Sequence, residues 1–249
     1  MSADRYAQEG LRTLRRVIEV NQAAVAASAA LIADCVKAGG VIQAFGTGHS
    51  QALAAEIAGR AGGLIPSNRL SLADPVLYGG AGLEQLSDPL LERTPGISAK
   101  IYELIAPHPE DLFVIISNSG VNNSIVDMAL LARDRGHALI AITSREHSSA
   151  VPAQHESGKR LVDLATAVLD NGAPLGDALL DIGGGTRVCG VSTLTSTMLI
   201  QMAVAEAIVL LADDGVDAPV YVSANVPGGH ERNLKLEAQY GARIRRSAL

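Results

Sequence analysis

The sequence predicts an α/β fold: a doubly wound, mostly parallel five-stranded sheet preceded by a long N-terminal helix. Three observations predict it. Short apolar runs of buried-strand type recur, as VIQAF (41–45), DLFVIIS (111–117) and HALIAIT (137–143). Stretches of helical period lie between them, and strands alternating with helices build right-handed βαβ units. Two of the runs pass directly into turns of Gly, Ser, Thr, His and Asn, GTGHS (46–50) and SNSGVNNS (117–124).

The elements follow in order. From residue 4 to 38 Leu11, Leu14, Ile18 and Val25 form one stripe, a helix that Gly39-Gly40 ends. After the strand at 41–45 a helix is expected to about Ala61. Residues 64–96, rich in Gly, Pro and Asp, read as irregular. A short helix is expected over 97–105, a strand over 111–117, a helix over 123–135 ended by Gly136, and strands over 137–143 and near 166–170. A long helix follows over 192–213, then a strand candidate PVYVSA (219–224) and a C-terminal helix over 230–243. No linker, repeat or low-complexity tract interrupts this, so residues 1–249 read as one domain with its core over 39–225.

Composition narrows the function classes. Hydrophobic residues make up 48% and charged residues 18%, enough to build a large core. Aromatics are 3% with no Trp, which argues against base-stacking platforms. The net charge of −6 argues against a nucleic-acid partner, and the Arg243, Arg245 and Arg246 tail reads as a helix C-terminus instead. Cys35 and Cys189 are too few for a disulfide framework, and Cys189 reads as a packing residue. The start MSADRYAQEG lacks an apolar signal core. The richest apolar stretch, near 191–212, contains Gln201 and Glu206. The expectation is a cytoplasmic protein without a membrane partner.

The paired turns carry the functional signal. Each sits at the carboxyl end of an expected parallel strand, where open α/β sheets bind ligands. Each opens a helix whose first N–H groups are unpaired and attract anions. Their small hydroxyl side chains add neutral donors. The plain alternative is a pair of well-made helix caps. A dinucleotide fingerprint is absent, because the position after Gly46 and Gly48 that should hold the third glycine is Gln51. A Gly-Lys-Ser/Thr ending is absent too.

Ser117-Asn118-Ser119-Gly120 resembles the S-x-S-G phosphate loop of SIS (sugar isomerase) domains. GTGHS is similar to the first loop of that family, and VSTLTSTM (191–198) to its Ser/Thr-rich segment opening the late helix. The resemblance covers roughly residues 30–225, in family order, and implies a flavodoxin-like sheet. It also implies phosphate binding by Ser50, Ser117 and Ser119 within turns that include Gly48 and Asn118, and approach to the sugar by Ser192 and Thr193. Asn122 stands where many members have Thr. Family enzymes include phosphoheptose isomerase and N-acetylmuramic acid 6-phosphate etherase. A homodimer or homotetramer is the implied assembly.

Candidate catalytic groups are carboxylates and imidazoles, the usual bases for a proton next to a sugar carbonyl. Glu56 precedes Ile57-Ala58-Gly59-Arg60, similar to the Glu-Leu-x-Gly-Arg of phosphoheptose isomerases, but closer to its serine by about one turn. The alternative is a surface acid paired with Arg60. Glu84 and Glu92 lie in an irregular stretch that departs from the family, with Arg93 placed to hold an anionic oxygen. His49 sits inside the first turn. His230 follows Pro227-Gly228-Gly229, and the resemblance implies a late acid/base His, sometimes from a neighbouring subunit; Asn225 precedes it. Each has the alternative of a surface or capping role. His147 and His155 read as an exposed loop without a metal motif; for Glu206, in the apolar late helix with Gln201, a buried polar group facing the site is the lesser of the alternatives. No cofactor and no metal are expected. The expected function is C2 proton abstraction on an aldose 6-phosphate, most directly elimination on an N-acetylhexosamine 6-phosphate such as N-acetylglucosamine 6-phosphate. Aldose–ketose isomerisation and non-catalytic sensing are the alternatives.

Overall fold

The computed structural model describes residues 2–88 and 90–245. Five parallel strands form one sheet: β1 (Ile42–Gly46), β2 (Ser67–Leu70), β3 (Leu112–Ile116), β4 (Ala138–Thr143) and β5 (Ala167–Asp170), in spatial order β2-β1-β3-β4-β5. β1 and β3 are buried at every position, as central strands of a parallel sheet covered on both faces must be. Alternation along the strands sorts them into two cores. Ile42, Ala44, Leu112, Val114, Ile116, Ile140 and Ile142 pack with α2 (Gln22–Lys37), α3 (Gln51–Ile57) and α9 (Ser192–Asp213). Phe45, Phe113, Ile115, Leu139 and Ala141 face α5 (Ile97–Ile105), α6 (Asn123–Asp134) and α8 (Leu161–Leu164).

The register sets the functional end. Gly46 pairs with Ile116, Ile116 with Ile142, and Thr143 with Asp170. The chain therefore leaves four strands at one level, and the segments beginning at Thr47, Ser117, Ser144 and Asn171 form one rim.

Five expectations need correction. The helix over 4–38 is two helices, α1 (Ala3–Val20) and α2, bent by 68°. Asn21 at the break is 3% exposed and pairs with the β5 edge. Its Nδ2 donates to the Asp170 carbonyl (2.9 Å) and its Oδ1 accepts from the Asp170 N–H (2.9 Å). Asn side chains compete with helical backbone bonding, and here the partner is a strand edge. Residues 64–96 contain β2 and the one-turn α4 (Asp74–Leu77). β2 reads SNRL and looks nothing like a buried strand. PVYVSA makes only an isolated antiparallel bridge, Val220 with Leu64, so β2 and not 219–224 is the fifth strand. The helix after GTGHS ends at Ile57, and the C-terminal helix α10 is Gly229–Glu237, followed by a single 3-10 turn at Gly241–Arg243. Further elements were not expected: α7 (Arg145–Ala150), α8, and a hairpin of β6 (Leu180–Gly183) and β7 (Thr186–Val188). Arg246 lies outside the described residues.

Helix α9 is long and apolar enough to cross a membrane by length and composition. It lies on the sheet against α2, with Leu199, Ile200, Ala203, Ala207 and Leu211 in the core.

One buried acid makes stability pH-dependent. Asp74 is 4% exposed, and burial pushes its carboxyl up from 3.8 to about 6, against the opposing pull of the Ser71 backbone, Arg245 and Arg69. The native state thus holds the proton more tightly than the unfolded chain. The stability this lends is complete below the unfolded value of 3.8 and is lost as pH rises through about 6. Asp74→Asn is expected to raise the melting temperature at neutral pH, by an equivalent of up to about 3 kcal/mol, and to change it little in acid. Thermal melts of both proteins across that pH range check this; a constant difference would contradict it.

Candidate functional site

The first turn follows from close packing at the end of β1. Gly46 has no room for a side chain, since a Cβ there would lie 2.7 Å from the Ser50 carbonyl oxygen. Gly48 takes a left-handed φ of +54° and starts a 3-10 turn, Gly48–Ser50, that feeds α3. This folds His49 and Ser50 back over the strand end.

The second turn is braced by its own side chains. Ser117 Oγ accepts from the Gly120 N–H (3.0 Å), and Gly120 has φ +65°. The Asn118 carbonyl accepts from the Ser144 N–H (3.1 Å) and from Thr143 Oγ1 (3.2 Å), which ties the turn to the end of β4. α6 then starts at its N-cap Asn122, whose side chain makes no capping bond, with no acid in the first turn. Ser119 and Asn122 are half-buried.

Between the turns and the start of α9 lies a cavity of about 240 Å³. His49, Ser50, Asn118, Ser192 and Thr193, all singled out in the sequence, line it together. So do four residues that sequence reasoning did not select: His147, Asn171, Asp177 and Ser196. Asn171 is the hub. It is 2% exposed, its Nδ2 donates to Asn118 Oδ1 (3.0 Å) and Ser196 Oγ (3.2 Å), and its Oδ1 accepts from the Ala173 N–H (3.0 Å). Asn118 Nδ2 lies 3.4 Å from His147 Nδ1. At the start of α9, Asp177 Oδ1 accepts from the N–H groups of Val191 (3.1 Å) and Ser192 (2.8 Å), while Ser192 Oγ donates to Asp177 Oδ2 (2.6 Å). Among the described residues, the lining is thus rich in neutral donors and holds one carboxylate.

The other selected residues lie outside the lining: Gly48, Ser117, Ser119 and Asn122 belong to the two turns beside it but are not part of its wall. Glu56, on α3, is ion-paired with Arg60 and accepts from Gln201 Nε2 (3.0 Å). Glu84 sits exposed in a 3-10 turn, Leu83–Ser87, and Glu92 and Arg93 in another, Leu91–Arg93; both belong to the segment leaving β2 at the rim. Asn225 and His230 are at the opposite end of the sheet. Their segment bonds to Gly62, Gly63 and Ile65, which precede β2, so a strand length of about 17 Å separates them from the rim.

Three further readings are corrected. His147 is not a solvated loop residue, because α7 turns it into the cavity wall, while His155 Nε2 pairs with Asp127 (2.9 Å). Glu206 is exposed on the outer side of α9 and takes no part in this lining. Cys189 is exposed at φ +67° beside the hairpin, whereas Cys35 is buried and its thiol pushed up to about 12 by that burial. Asn171 was findable by the rule that ligand-facing residues follow parallel strands. Ser196 falls within the Ser/Thr-rich 191–198 segment, whereas His147 and Asp177 carry no linear signal of that kind.

The family model described as SIS domain matches residues 5–144, a span that includes both turns. A UPF0309 protein of Listeria monocytogenes is 37% identical over 235 residues, covering 94% of this chain and 95% of its own length. A UPF0309 protein of Streptomyces coelicolor is 35% identical over 243 residues, with 97% and 96% covered. Among solved structures, phosphoheptose isomerase from Francisella tularensis superposes with a TM-score of 0.56 at 16% identity, over 83% of this chain and 98% of that one. The phosphoheptose isomerase of Neisseria gonorrhoeae gives 0.55 at 16% identity, over 82% and 95%. These structural likenesses speak to the fold.

Proposed function

Because the chain belongs to the SIS domain family, we propose that the rim cavity binds an aldose 6-phosphate and moves the proton at its C2. One observation carries the reading: the register of Gly46 with Ile116 sets the two turns side by side, with His49 and Ser50 of one and Asn118 of the other in the wall of a cavity of about 240 Å³. That volume falls below the roughly 300–1,000 Å³ of sites for drug-sized ligands, and suits a monosaccharide better than a dinucleotide. The phosphate is placed at the start of α6, with Ser117, Asn118, Ser119 and Asn122 on one side and Gly48 and Ser50 on the other. The sugar then extends toward Asn171, His147 and the α9 residues Ser192, Thr193 and Ser196.

Glu56 is the proposed base, and to act it must exchange Arg60 and Gln201 for the substrate. His49 is a second proton carrier already in the lining. Glu84, Glu92 and Arg93 enter only if the segment after β2 closes over the rim, and Asn225 and His230 only from a neighbouring subunit of a homodimer or homotetramer. Loss of the C2 proton leaves an enolate-like anion that nearby donors stabilise. Return of the proton at C1 gives isomerisation. Departure of the C3 oxygen gives elimination, the finer proposal for an N-acetylhexosamine 6-phosphate, whose 2-acetamido nitrogen cannot become a ketone as a 2-hydroxyl can. A non-catalytic sugar-phosphate sensor is the second reading, and the engagement of Glu56 with Arg60 and Gln201 favours it.

Proton NMR in D₂O tests these readings, with the 6-phosphates of glucosamine, N-acetylglucosamine, N-acetylmuramic acid and fructose, and a heptose phosphate. Loss of the C2 proton signal of an aldose, or of a C1 proton signal of the ketose fructose 6-phosphate, is expected, with new vinyl signals if elimination follows. In Glu56→Gln the exchange should fall by roughly 10²–10⁴-fold with binding retained. Binding shifts without exchange across the panel would establish the sensor, and absence of binding would reject both readings.

A further inference from the structure

The start of α9 is an anion site that the chain itself has filled. A helix of 22 residues begins there, and its first N–H groups should attract negative charge. The charge comes from Asp177, whose two carboxylate oxygens take the N–H groups of Val191 and Ser192 and the Ser192 hydroxyl. α6, which the second turn opens, has neither an acid in its first turn nor a side-chain cap.

Asp177 is held in place by its surroundings. Its φ is +56°, a left-handed conformation that is uncommon outside glycine and that Asp tolerates better than most residues. The Asp177 N–H donates to the Pro174 carbonyl (2.9 Å), and the next turn is clamped by Leu179 N–H to the Cys189 carbonyl (3.0 Å). Arg187 of the hairpin donates to the carbonyls of Ala178 (2.9 Å) and Leu179 (2.8 Å). At Gly190 the chain passes so close that a Cβ would lie 3.2 Å from the Asp177 carbonyl oxygen. The hairpin thus fixes the carboxylate against both the helix and the cavity. Among the described residues, Asp177 is the only carboxylate in the lining, and the basic side chains there are the imidazoles of His49 and His147, with no Lys or Arg.

We propose that Asp177 is a charge filter: the cavity accepts sugar phosphates whose only anionic group is the phosphate and rejects those with a second anion at the far end of the sugar. This rests on the reading of the cavity as a sugar-phosphate site, with the phosphate at α6. A second carboxylate or phosphate would then meet Asp177 with the helix donors already taken, and a like charge facing a like charge in a small cavity is strongly disfavoured. The ligand class is neutral aldoses, ketoses and N-acetylated sugars bearing one phosphate. Sugar-acid phosphates and bisphosphates are excluded.

Matched pairs that differ by one carboxylate or phosphate test this by calorimetric titration: glucose 6-phosphate with 6-phosphogluconate, N-acetylglucosamine 6-phosphate with N-acetylmuramic acid 6-phosphate, and fructose 6-phosphate with fructose 1,6-bisphosphate. The native protein should favour the singly anionic member of the pairs it binds by on the order of 100-fold. Asp177→Asn should cut that ratio to within tenfold, through a gain by the second member. Asp177→Gly relieves the left-handed backbone and serves the same purpose if the Asn variant is unstable. Equal binding of both members by the native protein, or an unchanged ratio in a folded variant, overturns the filter and leaves the sugar-phosphate reading standing. Absence of binding by every ligand overturns both.

Discussion

Asp111→Ala is expected to destabilise the protein by about 3–5 kcal/mol, the range for stripping one partner from a buried ion pair. Asp111 is 3% exposed and sits where β1 and β3 begin. Its Oδ1 accepts from the Val41 N–H (2.9 Å) and from Arg243 Nη2 (2.5 Å). Its Oδ2 accepts from Gln43 Nε2 (3.0 Å) and from the His108 N–H (3.3 Å). One carboxylate therefore joins the two central strands to the C-terminal tail. Alanine would leave a strand N–H, a buried amide and a guanidinium without this acceptor. Arg243 would keep the Gly39 carbonyl (2.8 Å) and Glu110 (3.4 Å), so the tail should loosen before the sheet opens. Urea denaturation checks the result, with the midpoint falling and the slope retained. Asp111→Asn keeps the shape and loses the charge, and should fall between the two. A loss under about 1 kcal/mol for alanine, the scale of an exposed pair, would mean that the tail is not held by this carboxylate.

The same cluster explains what was legible in the sequence. β1, β3 and β4 could be read because burial on both faces writes itself as an apolar run, and β5 as a short apolar run buried at alternate positions. The helices over 97–105, 123–135 and 192–213 could be read because Gly, Ser and Asn mark where strands and helices change over. β2 could not, because it is short and polar: Ser67 Oγ donates back to the Leu64 carbonyl (2.7 Å), and Asn68 is buried by distant partners. Asn68 Nδ2 donates to Gln43 Oε1 (3.1 Å) and to the Arg243 carbonyl (2.8 Å), and its Oδ1 accepts from the Arg245 N–H (2.7 Å). PVYVSA misled for the converse reason. Its β-branched residues suit a strand, but α10 supplies the bonds: Asn233 pairs with both backbone groups of Val222, and Arg232 donates to the Val220 carbonyl (2.6 Å). Within the candidate site, the turns at 46–50 and 117–124 were readable because they adjoin their strands. Asp177 was not, since only the hairpin and the start of α9 give it a position.

Gly46→Ala is expected to weaken sugar-phosphate binding by at least about tenfold and to lower stability by about 1–3 kcal/mol, the usual penalty of overpacking. The two glycines of the first turn separate two effects. At Gly48 the backbone is left-handed but nothing lies within 4 Å of an added Cβ, so alanine there meets only conformational strain. At Gly46 the added Cβ meets Ser50 itself, at 2.7 Å from its carbonyl oxygen and 2.9 Å from its carbonyl carbon. Backbone atoms cannot swing aside as the end of a long side chain can. Either β1 slips from its pairing with Ile116, or the turn opens and carries His49 and Ser50 off the cavity wall. The first route gives up sheet bonding and core packing, so the turn should yield. Stability and affinity are then separable: a modest drop in melting temperature should accompany a larger loss of affinity, measured by titrating N-acetylglucosamine 6-phosphate or whichever 6-phosphate of the NMR panel binds. Unchanged affinity with lowered stability would show that the ligand does not use the first turn, and would leave the Ser117–Asn123 turn and α6 as its sole anchor.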